Sequence, residues 1–124
     1  MINNKTIFIT GGTGSFGKFF TDYILKNYKP KKIIIFSRDE LKQHEMSQKY
    51  ENDKKLRFFL GDVRDQARLE MATEGVDILV HAAAMKQVPA SEYNPMEAIN
   101  TNINGAKNIV MASIKNKIKQ NILL

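Results

Sequence analysis

The residues best suited to chemistry in this 124-residue chain fall in short strings, the most informative being Thr10-Gly11-Gly12-Thr13-Gly14-Ser15-Phe16-Gly17. Gly11, Gly14 and Gly17 recur every third residue directly after an apolar run. Such a loop suits an anionic diphosphate. One residue without Cβ permits a tight turn, a second lets the backbone approach the ligand, and a third lets the next helix pack close. The first-turn N–H groups of that helix then face the phosphates, with Thr13, Ser15 and Phe16 in the same loop. The stretch also nearly spells a triphosphate-hydrolysing P-loop through Gly12, Gly17 and Lys18. Phe19 then stands where a Ser or Thr oxygen must ligate magnesium, and a phenyl ring has none.

A second string, Ser37-Arg38-Asp39-Glu40-Leu41-Lys42, follows another apolar run. An NAD-binding domain usually places an acidic side chain there for the ribose diol. Here Ser37 and Arg38 come first, and a guanidinium can grip a 2′-phosphate with paired donors. Lys42, one turn into the helix, adds charge, while Asp39 reads as the helix N-cap and not as a diol ligand. The expected cofactor is NADP.

In Gly61-Asp62-Val63 the carboxylate can accept the adenine amino group while Val63 covers the ring; the alternative is that Asp62 only caps the loop. After His81, the small side chains of Ala82 and Ala83 let a dinucleotide lie against the backbone. His81 itself reads as a satisfied histidine in or near the core. With His44 the only other histidine and no cysteine, no metal site is expected. Two Tyr-x-x-x-Lys pairs are decoys. Tyr28 and Lys32 straddle Pro30, which breaks the required helix, and Tyr50 and Lys54 lie at the exit of the second helix.

The elements that must position these strings alternate regularly. Strands are expected at 6–10, 32–36, 56–60, 77–81 and 120–124, with helices at 15–28, 39–50, 65–74 and from Asn94 as N-cap through Pro95 and Glu97. Phe16, Phe20, Tyr23 and Ile24 form the expected inward stripe of the first helix. In the fourth, Ile99, Ile103, Ala106, Val110 and Ile114 do so. Asp65 caps the third helix and Gly75 stops it. Right-handed crossovers over this pattern predict one α/β domain, a Rossmann-like three-layer αβα sandwich whose doubly wound parallel sheet has the order 3-2-1-4-5. Every string above then falls at the carboxyl end of a strand, where ligands of that fold bind.

Composition sets the outer bounds. The net charge of +6 comes from lysines scattered along the chain, with Lys29, Lys31 and Lys32 the one tight cluster, so a solvated surface and no nucleic-acid partner is expected. No signal-like segment and no 18-residue apolar run occur, so the expectation is a cytoplasmic protein without a membrane partner.

Together the strings resemble the extended short-chain dehydrogenase/reductase family. The longer ones narrow the likeness: Phe36-Ser-Arg-Asp-Glu-Leu-Lys42, Gly61-Asp-Val-Arg-Asp65, His81-Ala-Ala-Ala-Met-Lys-Gln-Val-Pro89, and Glu92-Tyr-Asn-Pro-Met-Glu97 with Asn100-Thr-Asn102. They are similar to the inverting UDP-N-acetylglucosamine 4,6-dehydratases of pseudaminic-acid synthesis and their capsule-biosynthesis relatives. The resemblance implies a redox-neutral lyase using NADP⁺ on a UDP-sugar. The sugar is oxidised at C4 by hydride transfer, loses its C5 proton and its C6 hydroxyl as water, and regains hydride at C6. It also implies that Lys86 contributes to the active site beside both cofactor and sugar, that Thr101 faces the cofactor, and that Tyr93 and Asn102 face the sugar.

Family members continue past the fifth strand into a Thr-Asp-Lys-type loop, a Tyr-x-x-x-Lys helix and a substrate domain, whereas this sequence stops at Leu124. Residues 1–124 are therefore expected to be a C-terminally truncated NADP-binding domain that binds dinucleotide weakly and catalyses nothing alone, its full-length parent a homo-oligomer. Two rival readings are a UDP-sugar 4-epimerase of the same superfamily and a non-catalytic NADP-binding module, against which Lys86 argues.

Overall fold

Alternation along the first strand sets the architecture. In the computed structural model, which describes residues 2–51, 53–83 and 95–124, β1 (Thr6–Thr10) is buried along its whole length. Ile7 and Ile9 belong to one apolar cluster and Phe8 to another, because successive side chains leave opposite faces of the pleat. The same division runs through β2 (Lys32–Ser37), with Ile33 and Ile35 on one side and Phe36 on the other. It recurs in β4 (Ile78–His81), where Ile78 and Val80 oppose Leu79. Strands apolar on both faces need a covering layer on each. One layer comes from α1 (Ser15–Asn27) and α2 (Glu40–Lys49), through Ile24 and Met46. The other comes from α3 (Gln66–Ala72) and α4 (Pro95–Lys115), through Leu69, Ala72, Ile109 and Ala112.

With β3 (Leu56–Leu60) and β5 (Gln120–Leu123) the sheet has five parallel strands in the order β3-β2-β1-β4-β5, as expected. Thr10 stands level with Phe36 on one side and His81 on the other, Ser37 with Leu60, and His81 with Leu123. The carboxyl ends thus share one edge of the sheet. The direction of winding reverses at β1, which opens a crevice between the β1 and β4 ends.

Local chemistry explains the helix boundaries. Asp39 accepts the Lys42 N–H at 3.0 Å and caps α2, and Asp65 accepts the Arg68 N–H at 3.1 Å and caps α3. Helix α3 ends at Ala72, short of the expected residue 74. The Thr73 hydroxyl donates back to the Leu69 carbonyl at 2.7 Å and accepts from Asn116 at 2.7 Å, tying the C-cap to the end of α4.

Two expected stripes are corrected. On α1 the buried residues are Gly17, Thr21 and Ile24, whereas Phe16 and Tyr23 are largely exposed and Phe20 is only half-buried. Gly17 must press against the β1–α1 turn, so the small face of the helix turns inward and the aromatic face outward. On α4 the inward face is Gly105, Asn108, Ile109, Ala112 and Ser113, while Ile103 is 60% and Ile114 68% exposed and Val110 also faces out. A Cβ on Gly105 would lie 2.9 Å from Val63, and Asn108 donates to the Val63 carbonyl at 2.9 Å. That close approach selects small and polar residues on the packed side. The side chain of Ile99, and Asn94, lie outside the described residues.

Candidate cofactor site

The turn from β1 into α1 is built for close approach. Gly11 has φ +63°, and a Cβ there would stand 2.9 Å from the Cα of Ala83 and 3.0 Å from the Ala82 carbonyl. Glycine takes that conformation without the strain a side chain brings, and its missing Cβ lets the β1 and β4 ends meet so closely. At Gly17 a Cβ would collide with the Gly12 backbone carbonyl, so α1 springs directly from the turn. The Gly14 N–H donates to the Gly11 carbonyl at 3.0 Å and the Lys18 N–H to Gly14 at 3.0 Å. No side chain caps α1 at Gly14 and no acidic residue lies in its first turn. The start of α1 therefore offers backbone donors and the positive end of the helix dipole to a phosphate. Thr13 is buried in the turn, whereas Ser15 and Phe16 are exposed at its mouth.

The β2 end carries the expected cationic string. Ser37 is buried, and its hydroxyl accepts from Gln43 Nε2 at 3.0 Å. Gln43 also donates to the Phe59 carbonyl at 3.2 Å, so one amide from α2 ties together the ends of β2 and β3. Arg38, Glu40, Leu41 and Lys42 are exposed around the first turn of α2, beside the Asp39 cap.

At the β3 end, Asp62 lies within reach of two arginines. The Arg64 backbone N–H donates to Oδ1 at 2.9 Å, and the Arg64 guanidinium reaches both carboxylate oxygens at 2.7–3.2 Å. Arg38 Nη1 stands 3.7 Å from Oδ2. The Arg64 side-chain bonds, aided by its backbone N–H and by both arginine charges, hold the Asp62 carboxyl below the usual carboxylate range against the opposing effect of partial burial. Val63 is turned into the core against α4, so its visible role is packing. Ala82 and Ala83 are half-buried beside Gly11. His81 is buried and bonded to Thr10 at 2.7 Å, a satisfied core histidine as expected.

Gly11, Gly14, Gly17, Arg38 and Asp62 thus gather along one edge of the sheet with Ala82 and Ala83. Lys86 and Tyr93 lie outside the described residues, as does the side chain of Thr101. Asn102 is half-buried in α4. Sequence reasoning missed Arg64 and Gln43. Arg64 had a visible signal, a base two residues after an acid in a loop, the spacing at which an aspartate closes a turn. Gln43 had none, because its role depends on where α2 lies over the strand ends. Of the decoys, Tyr50 sits at the C-terminal end of α2 and its hydroxyl faces Asp22 at 3.5 Å. Among the described residues no group of His, Cys, Asp or Glu could hold a metal ion, and no helix is long and apolar enough to cross a membrane.

Comparison with known proteins agrees with this geometry. Over its full length the chain is 59% identical to an inverting UDP-N-acetylglucosamine 4,6-dehydratase of Campylobacter jejuni subsp. jejuni, and spans 37% of that protein. It is 50% identical over 127 residues to a UDP-glucose 4-epimerase of Rickettsia felis, again covering 37% of the relative. Among solved structures, Pen from Bacillus thuringiensis superposes with a TM-score of 0.90 at 39% identity, over 99% of this chain and 37% of that one. A UDP-glucose 4-epimerase from Bifidobacterium longum, in complex with NAD⁺ and UDP, superposes with a TM-score of 0.76 at 25% identity, over 95% of this chain and 36% of that one. The chain spans little more than a third of the length of these relatives. Residues 7–124 match the model of a family described as polysaccharide biosynthesis protein, and the chain belongs to that family.

Proposed function

We propose that residues 1–124 are the NADP-binding portion of a cytoplasmic, homo-oligomeric UDP-N-acetylglucosamine 4,6-dehydratase that serves surface-polysaccharide synthesis. The observation that carries this reading is the glycine bend at Gly11 leading into the uncapped start of α1, whose backbone donors suit a diphosphate, in a chain 59% identical to such a dehydratase. The residues fit a dinucleotide. The backbone of Gly11–Gly17 and the α1 N-terminus hold the pyrophosphate. Ser37, Arg38 and Lys42 form the 2′-phosphate end, with Asp39, Glu40 and Leu41 shaping the start of α2 around it. Asp62 flanks the adenine, and Ala82 and Ala83 floor the crevice. Lys86 and Thr101 serve the nicotinamide end, and Lys86, Tyr93 and Asn102 the sugar.

A bound nicotinamide supplies reversible hydride acceptance, which permits a C4 ketone that acidifies C5. What this chain contributes is grip and orientation, and Lys86 is its one residue proposed to touch the reacting sugar.

The 50% identity to an epimerase supports a second reading, a UDP-sugar 4-epimerase. Mass spectrometry of the parent's product from UDP-N-acetylglucosamine separates the two. A dehydratase product has lost one water, while an epimerase product keeps the substrate mass. Calorimetry tests the cofactor: NADP⁺ binds more tightly than NAD⁺ and Arg38→Ala removes the difference, whereas equal wild-type affinities overturn the assignment. Lys86→Ala in the parent impairs cofactor retention or turnover, and unchanged kinetics reject its role.

A further inference from the structure

The adenosine end of the crevice holds one carboxylate between two guanidinium groups, and the two are not held alike. Arg64 makes short bonds to both oxygens of Asp62, the shortest 2.7 Å, and its own backbone N–H closes the loop onto Oδ1. A second backbone bond, from the Asp65 N–H to the Asp62 carbonyl at 2.9 Å, folds the loop so that Arg64 returns over Asp62. Arg38 stands at 3.7 Å, beyond hydrogen-bond distance, with its side chain 63% exposed, so it feels Asp62 through charge alone.

We propose that Arg64 is a positioning residue that sets the preference for a 2′-phosphate over a 2′-hydroxyl, by occupying Asp62 and leaving Arg38 to the phosphate. The inference rests on the NADP reading above. Ser37 and Leu60 are level neighbours, and Arg38, one residue beyond the first, comes within 3.7 Å of Asp62, two residues beyond the second. An Asp62 stripped of Arg64 has two effects there. Its oxygens become available to the paired donors of Arg38, the strongest arrangement an arginine can make with a carboxylate. Its uncompensated charge also repels an incoming phosphate dianion at close range. A ligand with a bare 2′-hydroxyl needs neither Arg38 nor a positive potential, so the effect falls on the phosphorylated ligand.

The test is calorimetric titration of the chain with adenosine 2′,5′-bisphosphate and with AMP, read as the ratio of the two affinities. The wild type prefers the bisphosphate. Arg64→Ala lowers that preference about fivefold, the scale of an exposed ion pair. Arg64→Lys, which keeps the charge without the paired donors, falls between. In the double variant Asp62→Asn/Arg64→Ala the ratio recovers, even where both affinities fall together through loss of the adenine contact. An unchanged ratio in Arg64→Ala overturns the proposal. So does a drop that Asp62→Asn fails to restore, because Arg64 would then be touching the phosphate itself. A wild type without preference for the bisphosphate removes the NADP reading and this inference together, whereas a preference insensitive to Arg64 removes only the inference. Arg64 is exposed, and an unchanged far-ultraviolet circular dichroism spectrum confirms that the variants fold.

Discussion

Thr10 Oγ1 stands 2.7 Å from His81 Nδ1 at the level pair where β1 and β4 end. The same oxygen accepts the N–H groups of Ala82 at 3.0 Å and Ala83 at 3.2 Å. Those donors use its lone pairs, so the hydroxyl proton points at Nδ1 and His81 carries its own proton on Nε2. One threonine thereby sets the histidine tautomer and clamps the floor of the crevice beside Gly11. Thr10→Val keeps the shape and removes the hydroxyl. Ala82 retains the Thr10 carbonyl at 3.3 Å, but the Ala83 N–H and His81 Nδ1 lose this partner. The expected cost is about 2 kcal/mol, read from the urea midpoint, with Thr10→Ser close to wild type.

Burial holds the His81 pKa below its ordinary value of 6.5. The unfolded chain therefore takes up a proton at a pH where the folded form does not, and the excess of bound protons in the unfolded state makes stability rise with pH. The contribution is complete above the unfolded value and declines as pH falls from there towards the folded one. Melting temperature should hold above about pH 7 and begin to fall below about pH 6.5. His81→Asn, which places an untitratable oxygen near the Nδ1 position, should flatten that part of the profile. The carboxyl of Asp62 is held below its ordinary 3.8, so its loss of stabilisation belongs to a separate, more acid window.

Gly17→Ala sets a methyl against the Gly12 backbone, which cannot step aside as a flexible side chain can. A destabilisation of about 1–3 kcal/mol is expected, with loss of dinucleotide binding beyond what the stability change explains. At Gly14 the nearest atom to an added Cβ is the Gly11 carbonyl at 3.3 Å, so Gly14→Ala should be the milder change. Denaturant titration beside cofactor titration ranks the two, and the reverse order would contradict the packing described.

Among the described residues the β5 side of the sheet carries an apolar surface. Val110 and Ile114 of α4 and Ile122 and Leu123 of β5 are each 46–68% exposed, and β5 is the edge strand of the described sheet. An exposed apolar edge recruits other chains through its unpaired backbone groups. Ile122→Lys should raise the concentration at which the chain stays monodisperse by light scattering while leaving the melting temperature within about 2 °C.

Much of this molecule could be read along the chain. The β-branched runs, the acidic caps at Asp39 and Asp65 and the glycine spacing act over a few residues. Local sterics and local hydrogen bonds therefore determined strand positions, helix starts and the glycine bend ahead of α1. Right-handed crossover then left the order 3-2-1-4-5 as the natural arrangement. Which face of a helix is buried was a different matter. Periodicity pointed to Phe16 and Tyr23 on α1 and to Ile103, Val110 and Ile114 on α4, yet those side chains face outward.

Inward facing was decided by how near the backbones come, at Gly17 against Gly12 and at Gly105 against Val63. The partnerships of Thr10 with His81, of Gln43 with Phe59, and of Arg38 with Asp62 likewise join residues distant in sequence. Residue types and spacing alone determined that a glycine bend and a cationic string exist. Only the packed sheet decided which oxygen meets which nitrogen, because such distances are settled by the contact of whole elements and not by the preferences of neighbouring residues.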